Sequence, residues 1–202
     1  MGEALLVLLL VGAGYLALRS GSKPSKSTEP AALDPYIGEG DNVWLLGDSL
    51  ATGIGPRLKK MAQDRRITLS QTARVGASTL WGTVQAQSPA AKGHTVWLVC
   101  LGANDAALPV PNANLEKWVD TIKRLAHSNG ASIVWLVAPN GGGLPGYDRV
   151  FKTVMDVVPD VILPPQGLAF APDGVHLFPS AYDEWAHDVW DKATSQRQDN
   201  VG

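Results

Sequence analysis

The strongest constraint on this fold is a set of short apolar runs, each ending on small or polar residues. Val43-Trp44-Leu45-Leu46 has no polar residue on either face and breaks at Gly47-Asp48-Ser49. A strand apolar on both faces must be covered on both, which is the situation of an inner strand in a parallel sheet sandwiched by helices. Thr95 to Leu101 and Ser132 to Ala138 repeat the pattern, and Ile67 to Ser70 and Val161 to Leu163 are shorter candidates. Between them lie segments of helical spacing: Ala51 to Gln63, the series Leu115, Trp118, Val119, Ile122 and Leu125, and Ala181 to Ala193 with Trp185, Val189 and Trp190 facing inward. Alternation of this kind predicts an α/β domain with a mainly parallel sheet, which places ligands beyond the carboxyl ends of its strands. The single cysteine, Cys100, falls inside an apolar run, where a buried and inert thiol is expected.

The N-terminus is biased differently. Ala4 to Leu18 carries no charge, and only Gly12, Gly14 and Tyr15 interrupt its aliphatic character. As a helix this run covers roughly 22 Å, short of the ~30 Å hydrocarbon thickness unless its flanks contribute. Glu3 precedes it and Arg19, Lys23 and Lys26 follow, the reverse of a cleaved signal peptide, so a retained single-pass anchor is expected over residues 1–19. The positive-inside rule then puts the globular domain on the cytoplasmic side. Residues 20–41, rich in Ser, Gly and Pro, read as a flexible linker, 42–196 as the folded domain and 197–202 as a tail. With 17 basic against 19 acidic residues and a net charge of -2, no basic field exists to gather nucleic acid, and nothing identifies a protein partner.

Chemistry concentrates at the predicted strand ends. Nucleophilic acyl transfer needs an exposed hydroxyl, a base, a group to orient the base and donors for the oxyanion. Gly47-Asp48-Ser49-Leu50 follows the first strand, Gly76 lies in Arg74-Val75-Gly76-Ala77-Ser78, Gly102-Ala103-Asn104-Asp105 follows the third, and Asp173-Gly174-Val175-His176 precedes the last helix. In identity, order and position these four elements resemble the SGNH (GDSL) hydrolase family, from about Val43 to Ala186. The resemblance implies a three-layer α/β/α fold with a flavodoxin-like sheet, in this chain preceded by the N-terminal transmembrane helix. It implies Ser49 as nucleophile, His176 as general base and Asp173 as the residue that orients it. The oxyanion hole would comprise the backbone N–H groups of Ser49 and Gly76 and the side-chain amide of Asn104. No cofactor is implied.

Plainer roles stay open for each of these residues. Ser49 could cap the following helix, Gly76 could be a turn glycine, and Gly102 and Asn104 could merely form a turn after a strand. Asp48 and Asp105 read as structural rather than catalytic. His94, His127 and His187 read as structural or solvated, and no H-E-x-x-H, paired-Cys or clustered-carboxylate pattern suggests a metal. Gly141-Gly142-Gly143 lacks the Lys-Ser/Thr of a phosphate loop and reads as a flexible pocket edge lined by Asn140; Trp81, with Leu108, Pro109 and Val110, is a candidate pocket wall. Few insertions separate the motifs, which favours a short acyl group, most simply acetyl on a glycan or cell-wall polymer. A lipid esterase or lysophospholipase acting at the membrane, and a catalytically quiet envelope or virion module, are the alternatives.

Overall fold

The computed structural model describes residues 36–195. The expected anchor over 1–19, the linker up to residue 35 and the tail over 197–202 lie outside the described residues. Among the described residues no helix is long and apolar enough to cross a membrane.

Five parallel strands form one sheet: β1 (Asn42–Gly47), β2 (Thr68–Ala73), β3 (Val96–Cys100), β4 (Ser132–Leu136) and β5 (Val161–Ile162), in the order β2-β1-β3-β4-β5. Every residue of β3 is buried, as are Val43 to Gly47 of β1 and Ile133 to Leu136 of β4, so the doubly apolar runs are the inner strands. Strand β2 begins one residue later than expected and continues through polar Gln71 and Thr72. As an edge strand it pairs on one side only, and its mixed burial tolerates those residues.

The helices form two groups. Helix α1 (Ser49–Gln63) packs with α6 (Pro179–Thr194), whereas α4 (Asn112–Ser128) packs with both α2 (Thr79–Ala86) and α5 (Tyr147–Val157). A short helix, α3 (Ala103–Ala107), follows β3 and lies against α5. Trp44, Trp97, Trp135 and Trp185 are the largest fully buried side chains, and Cys100 is buried with them. The expected linker ends earlier than residue 41. Ile37 is wholly buried, its N–H donates to the Ala193 carbonyl at 3.0 Å, and the Tyr36 hydroxyl lies 3.3 Å from Asp160 Oδ1. Burial of Ile37 thus ties the segment before β1 to the end of α6.

The pairing of α1 with α6 positions the site, because Ser49 starts one helix and His176 precedes the other. It is held by close approach at Gly53, where a Cβ would stand 2.4 Å from the Tyr182 ring. Arg57 completes the clamp. Its guanidinium lies over the Tyr182 ring, donates to the carbonyls of Gly53 at 2.8 Å and Pro179 at 3.0 Å, and pairs with Asp183.

Candidate active site

In the order β2-β1-β3-β4-β5 the strand sequence reverses direction between β1 and β3, the place where open α/β sheets form a ligand crevice outside the carboxyl ends of the strands. Ser49 follows β1 and Asn104 follows β3, so both border that crevice. The cap of α1 is Asp48, not Ser49: the Leu50 N–H donates to Asp48 Oδ1 at 2.9 Å. Capping by its neighbour leaves the Ser49 hydroxyl free for other work. It lies 2.9 Å from His176 Nε2.

The other ring nitrogen, His176 Nδ1, is 2.6 Å from Asp173 Oδ2. Asp173 Oδ1 accepts the backbone N–H groups of Val175 and His176, each at 2.9 Å. The hydrogen bond from His176, followed by these two N–H groups, holds the Asp173 carboxyl down to about 2. As a carboxylate at any ordinary pH, it fixes the proton on Nδ1 and turns the Nε2 lone pair to Ser49.

The glycine loop after β4 differs from its expected role as a flexible edge. The N–H groups of Gly141 and Gly143 donate to the Gly174 carbonyl at 2.9 and 3.2 Å, which pins the loop to the Asp173 turn. Asn140, expected to line a pocket, uses Oδ1 to accept the Gly142 N–H at 2.9 Å and so shapes the loop itself. A Cβ at Gly143 would stand 2.2 Å from the Asp173 carbonyl oxygen. Because that neighbour is backbone, Gly143→Ala must displace the turn. If Asp173 orients a catalytic histidine, misplacing it by about 1 Å is expected to cost on the order of 10²-fold in kcat. Steady-state kinetics beside a melting curve check this; an unchanged kcat in folded variant would show that the turn gives way without moving Asp173.

The expected oxyanion donors differ in what they already bind. Gly76 has φ +73, and its N–H meets no acceptor among the described residues. That of Ser49, at the first position of α1, has none within its helix. The Asn104 amide is partly engaged: Nδ2 donates to the Ala77 carbonyl at 2.9 Å and lies 3.4 Å from Asp48 Oδ2, a long contact. Asn104 thereby ties its own loop to the Gly76 turn. Asp105 is buried and braces the start of α2, accepting the Thr79 N–H and hydroxyl, both at 2.8 Å. Arg149 secures the same loop from α5 by donating to the carbonyls of Asp105, Leu108 and Val110. No local pattern in the sequence signals that contact, which spans some forty residues.

Trp81 is half-buried, and the Arg74 guanidinium covers its ring at 5.0 Å from the centroid. The expected pocket wall is thus one half of a cation–π pair. Among the described residues no group of three or more His, Cys, Asp or Glu side chains is placed to hold a metal ion.

No family model matches the chain, and no curated protein does. Solved structures do. The chain is similar to a psychrotrophic esterase, EstA, from Pseudoalteromonas sp., with 16% identity over 79% of this chain and 100% of that one and a TM-score of 0.62. A member of the lipolytic protein G-D-S-L family from Veillonella parvula matches at 14% identity, over 74% and 96% of the two chains, with a TM-score of 0.60. The chain has the SGNH (GDSL) hydrolase fold. An acetyl xylan esterase from Geobacillus stearothermophilus shares it at 14% identity, over 79% and 97%, with a TM-score of 0.59. At these identities the SGNH fold is what the likeness carries, and the chemistry rests on the residues themselves.

Proposed function

We propose that this SGNH-fold chain is a serine hydrolase of carboxylic esters, with Ser49, His176 and Asp173 as its triad. The observation that carries the reading is the continuous line from Ser49 Oγ through both nitrogens of His176 to Asp173. In the reaction, His176 Nε2 takes the Ser49 proton as Oγ attacks the ester carbonyl. The imidazolium returns that proton to the departing alcohol, leaving an acyl-enzyme. Water, activated by the same ring, then releases the acid. The N–H groups of Ser49 and Gly76, with the amide of Asn104, stabilise the oxyanion, and the amide gives up its long contact with Asp48 to do so.

A short acyl group, most simply acetyl on a glycan or cell-wall polymer, fits an open site. The side chains of His176 and Asp173 are 43% and 49% exposed, too open for a long acyl chain to be enclosed there. The acetyl xylan esterase among the similar structures is consistent with that class. One observation favours a lipid ester instead: Val75, Leu80, Leu108 and Phe178 are exposed apolar side chains, each within four residues of an expected site residue. We further infer, from the sequence alone, that residues 4–18 tether the domain to a membrane.

A phosphonate probe tests the nucleophile directly. Peptide mapping is expected to find the label on Ser49 in folded protein, with labelling slowed by at least about 10²-fold in His176→Ala. A probe that leaves folded wild-type protein unlabelled would favour a catalytically quiet module. Rates on an acetylated glycan and a lysophospholipid then separate the two esters.

A further inference from the structure

We propose that Arg74 is the anion-binding residue of this site, and that the preferred substrate is an ester carrying a carboxylate or phosphate. The proposal rests on the serine-esterase reading and deepens it.

Arg74 directly follows β2, at the carboxyl edge of the sheet where the site opens. Its N–H donates to the Gly47 carbonyl at 3.1 Å, and its carbonyl accepts the Ala77 N–H at 3.0 Å. Its backbone is therefore fixed between the residue two before Ser49 and the residue after Gly76. The side chain is exposed, and among the described residues no carboxylate pairs with it and no hydrogen bond uses its guanidinium. Among the described residues Trp81 alone holds it.

This kind of support suits anion recognition. A guanidinium held over an indole ring spends none of its N–H donors on a hydrogen bond, and the contact restricts a side chain that would otherwise lose much rotamer freedom on binding. A carboxylate or phosphate can then be taken bidentately. Other arginines near the site are committed: Arg57 to Asp183 and two carbonyls, Arg149 to the carbonyls of the Asn104 loop. Charge on the other side of Ser49 runs the opposite way. Asp173 is ionised and half-exposed on the turn pinned to the loop after β4, whereas Arg74 follows β2 at the far edge of the sheet. An anionic ester is repelled at one side and held at the other, which sets its direction across the site.

Two matched pairs of small esters test this: 4-acetoxybenzoate against methyl 4-acetoxybenzoate, with the charge on the alcohol, and 4-nitrophenyl hemisuccinate against 4-nitrophenyl butyrate, with the charge on the acyl group. The readout is the ratio of kcat/KM, anionic to neutral. In at least one pair Arg74→Gln is expected to lower the wild-type ratio about three- to tenfold, mainly through KM, with Arg74→Lys retaining part of it. Salt should lower the wild-type ratio and leave that of Arg74→Gln nearly flat. The pair that responds locates the charge. If both ratios are the same in wild type, Arg74→Gln and Arg74→Lys, the inference is overturned while the esterase reading stands. If wild type hydrolyses no ester faster than Ser49→Ala does, the esterase reading itself falls.

Discussion

Ser49→Ala is expected to lower kcat on 4-nitrophenyl acetate by about four to six orders of magnitude, with the melting temperature little changed. The size follows from how a triad works: its members act as a unit, so removing the nucleophile alone costs nearly as much as removing all three, and the residual rate comes from binding and the oxyanion donors. The stability forecast is separate and rests on the cap. Asp48, not Ser49, caps α1 by accepting the Leu50 N–H, so deleting the Ser49 hydroxyl removes no helix cap and only its contact with His176. Active-site titration with a phosphonate excludes traces of wild-type enzyme. A variant that keeps more than about a tenth of the rate would mean that another group attacks the ester, and the Ser49–His176 contact would then be structural.

The inner strands were legible because burial on both faces leaves a continuous apolar run, as in Trp97-Leu98-Val99, and no helix of such a domain is apolar all round. Helix α4 was legible by its spacing, with Leu115, Val119 and Ile122 all fully buried. The end of β2 was not, because an edge strand accepts Gln71 and Thr72 and so loses its pattern. The site was legible where chemistry is local. Asp173 and His176 are three residues apart, and one turn brings them into contact. It was illegible where the contact depends on tertiary approach. That Asn104 donates to Ala77, that Gly143 sits under the Asp173 carbonyl and that Arg74 stacks on Trp81 each require segments brought together only by the sheet, or by the turn beyond it. The three consecutive glycines were visible, yet their meaning lay in what a Cβ would strike rather than in flexibility.

Asp48→Asn should make the protein more stable above pH 7 and a poorer enzyme. Burial pushes the Asp48 carboxyl from its ordinary 3.8 up to about 7, against the opposing pull of the Leu50 and Ala51 N–H groups, and the nearby charge of Asp105 adds to the rise. The unfolded chain thus ionises near pH 4 and the folded chain only near 7. Between those values the unfolded state holds fewer protons, so stability falls as pH rises and levels off above 7, a loss of about 4 kcal/mol at most. Asparagine is neutral throughout and keeps an oxygen for the Leu50 N–H, so this slope should disappear, with a melting temperature higher by roughly 8–16 °C at pH 8. The activity should move the other way. An amide NH₂ now faces Asn104 Nδ2 across the position of Asp48 Oδ2, and two donors cannot meet there. Asn104 keeps its bond to the Ala77 carbonyl and relieves the clash by swinging its amide away from residue 48, which misplaces its N–H groups for the oxyanion at a cost of about 10²–10³ in kcat. Melting curves from pH 4 to 8 beside kcat on one neutral ester read both effects. Curves that keep the wild-type slope would assign the titration to another group, and a gain in stability with kcat intact would remove Asn104 from the oxyanion hole.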